Sequence, residues 1–336
     1  MIDLHVHLDG SLEPEEIIEL SKLADVKLPT YDVENLRKLV TVQEDCTSLV
    51  EYLEKFELPL KVLQSSITIE QSVFLMVAKL AKQGLCYAEI RFAPQLHLRK
   101  GLTQIQVVEA ALSGLGKGIQ CFKIPCQLIL CCMRGDHNDC ENMETIEVAK
   151  EFISKGICAV DLAGNERDFP TDNFADVFEK AKKVGIPITI HAGEAAGAES
   201  VKSALVLGAS RIGHGIHSIE NQELLNELKA KKIILETCFS SNLQTKSVKN
   251  MKEYPIKKLI DQGILVAVNT DNMTVSGTTI KKEYQLLEKY FSFSVDELKQ
   301  LALNAVKGAF LSENKKDILC NRINKEFGVW ISTKKS

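Results

Sequence analysis

His5 and His7 stand one residue apart in HVHLDG, almost at the start of the chain. Side chains alternate along a strand, so on a strand these two imidazoles share one face while Val6 takes the other. Paired imidazoles fill a core poorly but supply half of a metal site. Other residues of ligand or acid–base type close other apolar runs: His191 and Glu194 in HAGE, His214 in RIGHG and Asp271 in NTDN. His5, His7, His191 and Asp271 form an N₃O set, the ligand types that a catalytic zinc takes while leaving room for water. Bound zinc lowers the pKa of that water to about 7. One such histidine alone is more often a hydrogen-bonded structural residue, and Asp271 alone more often a helix cap. It is the coincidence within a chain of seven histidines that points to a metal. His97, His137 and His217 lack such company and are read as structural.

Glu194 follows His191 across Gly193, where the missing side chain lets backbone and carboxyl approach a substrate. A half-enclosed carboxyl at that place has its pKa raised and can act as a proton donor. His214, between Gly213 and Gly215, has little to pack against and is a candidate base toward water.

These residues need a scaffold that gathers strand ends. Eight strand-like runs recur, at 4–10, 86–94, 126–134, 157–165, 186–194, 211–216, 232–241 and 264–272. Segments of helical period separate most of them. In NFADVFEKAKKVGI, Phe174, Val177, Phe178 and Ala181 form one stripe and Gly185 stops the helix. Nearly continuous apolar strands alternating with helices predict a parallel sheet, and eight units predict a (β/α)₈ barrel, whose active sites form at the C-terminal strand ends. A doubly wound open sheet is the runner-up, although no GxGxxG follows the first strand. The interval of about 11–84 is helical in pattern, with Pro14 at a helix start. The reading is therefore a single domain over 1–336 with a helical insertion after the first strand, lying over the mouth.

Composition narrows the function classes. A net charge of −4 over 336 residues gives no electrostatic case for nucleic acid or membrane. The runs at Lys229, Lys231 and Lys232 and at Lys334–Lys335 are read as solvated. No apolar run reaches the ~18 residues of a membrane span, and no secretory signal is evident. The ten cysteines lack metal-knuckle spacing, and Cys126, Cys131, Cys132, Cys158 and Cys238 lie in apolar runs, as reduced thiols of a cytoplasmic protein would. Nothing points to a protein partner.

HVHLDG, VDLAGNE, HAGE, RIGHG and NTD, in this order and spacing, closely resemble the adenosine deaminase family of the amidohydrolase superfamily, and RFAPQLH at 91–97 looks like its bacterial members. The resemblance runs from His5 to about Tyr284. It implies a (β/α)₈ barrel with one Zn²⁺ held by His5, His7, His191 and Asp271. Glu194 matches the acid that protonates purine N1, and His214 the residue that orients or deprotonates the water. Asp9 matches the carboxylate that binds the ribose 5′-hydroxyl, Gly164 the backbone donor to purine N3, and His7 also borders the substrate. The implied reaction is hydrolysis of adenosine and 2′-deoxyadenosine to inosine or deoxyinosine and ammonia. The alternative is a related purine aminohydrolase acting on adenine or a modified adenine nucleoside or nucleotide. One departure stands out: the family's second aspartate in TDD is Asn272 here. Its NH₂ is a permanent donor, suited to purine N7, but cannot exchange a proton. Two other classes compete. A silent binding barrel has no use for the full polar set, and a dinuclear amidohydrolase would carry a lysine on the fourth strand, where ICAVDLAGN has none.

Overall fold

The computed structural model describes residues 1–43 and 46–334, with side chains through 327; the Lys334–Lys335 pair lies outside the described side chains. Eight strands follow in chain order: β1 (Ile2–His7), β2 (Tyr87–Phe92), β3 (Cys126–Met133), β4 (Ile157–Ala163), β5 (Thr189–Ala192), β6 (Arg211–His214), β7 (Ile234–Thr237) and β8 (Leu265–Val268). All neighbours pair in parallel, in the orders β1-β2-β3-β4 and β5-β6-β7-β8. Parallel bridges at Val160–Ile188 and Val6–Asp271 join the two sheets at both seams. The ring is thereby closed as a (β/α)₈ barrel, and the open-sheet alternative is excluded. At the second seam His7 N–H donates to the Asp271 carbonyl (2.7 Å) and Asp271 N–H to the His5 carbonyl (2.8 Å). The same two hydrogen bonds that close the barrel also set three of the candidate ligands side by side.

The helices form where the sequence carries both a cap and a stripe. Phe174, Val177, Phe178 and Ala181 are all buried along the turn and helix Thr171–Lys183, and Gly185 leaves it with φ +73°. Gln222–Ala230 starts where the Asn221 side chain accepts from Leu224 N–H, satisfying one of the orphan donors of a first turn. These outer stripes join the strand residues in one continuous core that includes Ile2, Leu4, Ile90, Leu130, Ile190 and Val266.

Among the described residues, five α-helices separate β1 from β2: α1 (Pro14–Leu23), α2 (Val33–Val40), α3 (Leu49–Leu53), α4 (Glu57–Val62) and α5 (Ser66–Lys82). Pro14 opens α1 beside a capping box between Glu13 and Glu16. Helices α1, α2 and α4 bury a small apolar cluster of their own around Ile17, Leu20, Leu36 and Val62. Tyr52 and Leu49 instead pack with Val275 from the loop after β8. That contact holds α3 over the C-terminal strand ends.

Candidate active site

The strand ends gather the predicted residues into one cavity, lined by His7, Asp9, Gly164, His191, Glu194, His214, Asp271 and Asn272 on the barrel side and by Leu49, Tyr52, Leu53, Phe56 and Leu60 on the helical side. The last apolar group comes from α3, α4 and the turn between them. His5 lies beneath this surface, fully buried, its ring 4.4 Å from that of His191 and 5.0 Å from that of His214.

His5, His7, His191 and Asp271 each offer one ligand atom within 4.8 Å of the others. His7 Nε2 lies 3.2 Å from His191 Nε2, and Asp271 Oδ1 lies 3.5 Å from His5 Nε2 and 3.4 Å from His7 Nε2. Two further carboxylates decide which nitrogens converge. His5 Nδ1 is 2.9 Å from Glu236 Oε2, and His191 Nδ1 is 2.9 Å from Asp161 Oδ2. An ionised carboxylate only accepts, so both Nδ1 atoms carry the proton, and in the neutral ring each Nε2 then presents a lone pair. Burial holds His7 and His191 below the ordinary imidazole range, in the neutral form that ligates. Against the upward pull of burial, hydrogen bonding and charge from His5, with His7 behind it, hold Asp271 well below the carboxylate range. His5 Nε2 has no hydrogen-bond partner among the described residues although it is buried. Buried lone pairs left facing one another are costly. This donor set fits a divalent cation.

Asp161 and Glu236 escaped the sequence reading, as did the arginine that joins them. Arg91, fully buried, donates to Asp161 Oδ2 and to Glu236 Oε2, both at 2.8 Å. Glu236 also accepts from Arg211 Nε (2.6 Å), which pairs with Glu89 as well (2.6 Å). Charges inside the apolar runs YAEIRF, ICAVDLA and ILET were the available signal, since a charge is seldom buried unless it is paired.

Glu194 lines the same cavity, and burial, then the charges of Asp271 and Glu166, push its carboxyl up to about 8. The loop carrying it is held by Glu166, whose carboxylate accepts from the N–H groups of Gly193, Glu194, Ala195 and Ala196 and from Ser200 Oγ. This residue too was not singled out, although VDLAGNE contains it. The structure gives Gly193 a reason other than the expected approach to substrate. Its φ is +69°, and a Cβ there would meet Val201 Cγ2 at 2.5 Å. Similarly, a Cβ on Gly213 would stand 3.1 Å from His191 Cα and His5 Cε1. Gly213 is therefore room for two candidate ligands, whereas Gly215, with φ +67°, makes room for the Leu235 side chain. His214 and Asp271 themselves adopt positive φ (61° and 62°), a conformation that costs a residue with a Cβ. Both are fixed by what surrounds them.

Asp9 is buried, its carboxyl pushed up to about 6 by desolvation, and its Oδ1 has no partner among the described residues. Asn272 Nδ2 donates to Asp271 Oδ1 (2.7 Å), which leaves one N–H for another acceptor, while its Oδ1 has no partner among the described residues. Gly10 makes room for that amide, since a Cβ would fall 1.9 Å from Asn272 Oδ1. Gly164, with φ +109°, borders the same cavity. The three histidines read as structural remain apart from it. His97 Nδ1 lies 2.8 Å from the Leu63 carbonyl, His217 Nδ1 lies 2.6 Å from Glu220, and His137 has φ +58° in the turn after β3.

The family model described as adenosine deaminase matches residues 1–326. An adenosine deaminase of Haemophilus ducreyi is 46% identical over 331 residues, covering 97% of this chain and 96% of that protein. One from Enterococcus faecalis is 40% identical over 326 residues, covering 97% and 96%. Among solved structures, an adenine deaminase from Arthrobacter aurescens superposes with a TM-score of 0.88 at 27% identity, over 98% of both chains. The Arabidopsis N6-mAMP deaminase does so with a TM-score of 0.84 at 25% identity, over 96% of this chain and 97% of that one.

Proposed function

The chain belongs to the adenosine deaminase family, and on that premise we propose that it hydrolyses adenosine and 2′-deoxyadenosine at purine C6, releasing ammonia and leaving inosine or deoxyinosine. The observation that carries this reading is the pairing of two unlike features on one cavity. Four ligand atoms converge on its floor, and beside them stands a carboxyl that burial keeps protonated near neutral pH. A zinc ion held by His5, His7, His191 and Asp271 would supply a Lewis acid that brings the pKa of a water toward about 7; we assign one.

The remaining work falls to the protein. Glu194 gives its proton to purine N1, which draws electron density from C6 and opens that carbon to water. Asp9 accepts from the ribose 5′-hydroxyl, the Gly164 backbone donates to N3, and the free N–H of Asn272 donates to N7. These contacts hold C6 at the metal side of the cavity, where orientation lowers the entropic part of the barrel reaction's barrier. Leu53, Phe56 and Leu60 cover the base and keep bulk water from the acid. The ten cysteines are free thiols, seven of them buried, which fits a reducing cytoplasm.

The test is a side-by-side measurement of kcat/KM on adenosine, 2′-deoxyadenosine, adenine and an N6-substituted AMP with zinc-loaded protein. Adenosine and deoxyadenosine are expected to lead. Adenosine in last place would replace this reading with that of a related purine aminohydrolase.

A further inference from the structure

Asn242 occupies the short helix Phe239–Gln244 that follows β7, fully buried, and touches both proton-handling groups of the cavity. Its Nδ2 lies 3.0 Å from His214 Nδ1 and 3.4 Å from Glu194 Oε1, while its Oδ1 accepts from the Tyr254 hydroxyl at 2.8 Å. An amide nitrogen carries two hydrogens and accepts nothing, so both contacts are donations. The opposite amide orientation would set Oδ1 against Glu194 Oε1, which already accepts from Thr245 Oγ1 at 3.1 Å. It would also take from Tyr254 its acceptor.

We infer that Asn242 is a positioning residue whose single NH₂ group fixes the proton of His214 on Nε2 and the acid proton of Glu194 on Oε2. An imidazole that accepts at Nδ1 and is neutral must carry its hydrogen on Nε2. A ring nitrogen that accepts carries no proton, so the Asn242 contact excludes the doubly protonated imidazolium. Its Nε2 has no hydrogen-bond partner among the described residues. For Glu194, the oxygen that receives both Asn242 and Thr245 is the carbonyl oxygen of the acid. The hydroxyl oxygen is then Oε2, which lies 3.5 Å from His214 Nε2. Two N–H and O–H donors thus face the same part of the cavity. His214 acts there as a hydrogen-bond donor to an oxygen adding at the purine, and not as a base toward it. What the two groups act upon rests on the deaminase reading; where their protons sit does not.

Asn242→Asp is the sharpest variant. It is nearly isosteric and keeps an acceptor for Tyr254, but it turns a carboxylate oxygen toward His214 Nδ1. In zinc-loaded protein, imidazole ¹⁵N NMR, with His214 assigned by comparison with His214→Gln, is expected to show the Nε2–H tautomer in the wild type and Nδ1–H in Asn242→Asp. Turnover of adenosine should fall about 100-fold in kcat, with KM changed less than about threefold. Thr245→Val should lose a smaller factor, restored by Thr245→Ser. Should the aspartate variant not fold by its melting curve, Asn242→Ala carries the same test, with a mixed tautomer expected. An Nδ1–H signal in the wild type, or an unchanged tautomer and kcat in the variant, overturns the inference. A wild type that shows Nε2–H yet deaminates no purine would remove the deaminase reading and leave the proton assignment standing.

Discussion

The floor of the cavity is a set of paired imidazoles and ionised groups, whereas its roof is almost wholly apolar. On the floor, strand ends present His5, His7, His191 and Asp271, and a layer below them Arg91, Asp161 and Glu236 hold two of those imidazoles by carboxylate contacts of 2.9 Å. On the roof, α3, α4 and their turn present Leu49, Leu53, Phe56 and Leu60. The floor gains nothing from hydrophobic burial and owes its order to mutual pairing, so removing one member leaves another charge buried alone. The roof is non-directional: its apolar residues exclude water, in the proposed reaction cover the base, and each acts nearly on its own. Errors in the floor should therefore act on metal and chemistry, and errors in the roof on binding.

The largest expected effect lies where the two meet, at Glu194. Glu194→Gln should lower kcat by about 10³-fold, within the span of general acid catalysis, with bound zinc unchanged by elemental analysis. Loss of the metal instead would place Glu194 among the floor residues. Next comes the layer beneath the ligands. Asp161→Asn should weaken zinc binding by about 10–100-fold in a chelator competition, with a lowered melting temperature as Arg91 loses one partner. An unchanged zinc affinity would show that His191 needs no carboxylate behind it.

In the roof, Phe56→Ala should raise KM for adenosine by about tenfold, since burying an aromatic side chain is worth about 1.5–3 kcal/mol, and should leave kcat and zinc content almost unaltered. A fall in kcat alone would mean that the roof acts in the chemical step. The mildest perturbation is pH. As the proposed acid Glu194 has to hold its proton, and burial raises its pKa to about 8, so kcat/KM should be level below that value and fall as pH rises through it. For stability the sign is the same: a carboxyl raised from 4.5 to about 8 favours the fold below the lower value and loses that contribution across the window. An alkaline limb that persists in Glu194→Gln would assign the titration to another group.

The positions of the strands were legible because continuous apolar runs bounded by polar ends admit few other readings, and the start of α1 because Pro14 suits a first helical turn. Strand ends were read less sharply. RIGHGI at 211–216 reads as strand throughout, but pairing stops at His214, where the backbone enters the left-handed region. Asp161, Glu236 and Arg91 stayed hidden for a different reason. A charge within an apolar run gives no indication of its partner when that partner lies 70 or 145 residues away. Asn242 carried no signal at all, being one polar residue in a stretch of several.

Residue type and period by themselves determined that His5 and His7 share a face, that eight β–α units recur, and that three other strand ends carry ligand or acid groups, because alternation and hydrophobic runs are local properties. Tertiary structure alone decided which nitrogen of each histidine faces the cavity, which carboxyl keeps its proton and what Asn242 holds. Those depend on distances and on burial, and both arise only when the ring closes and brings remote strand ends within a few ångströms of one another.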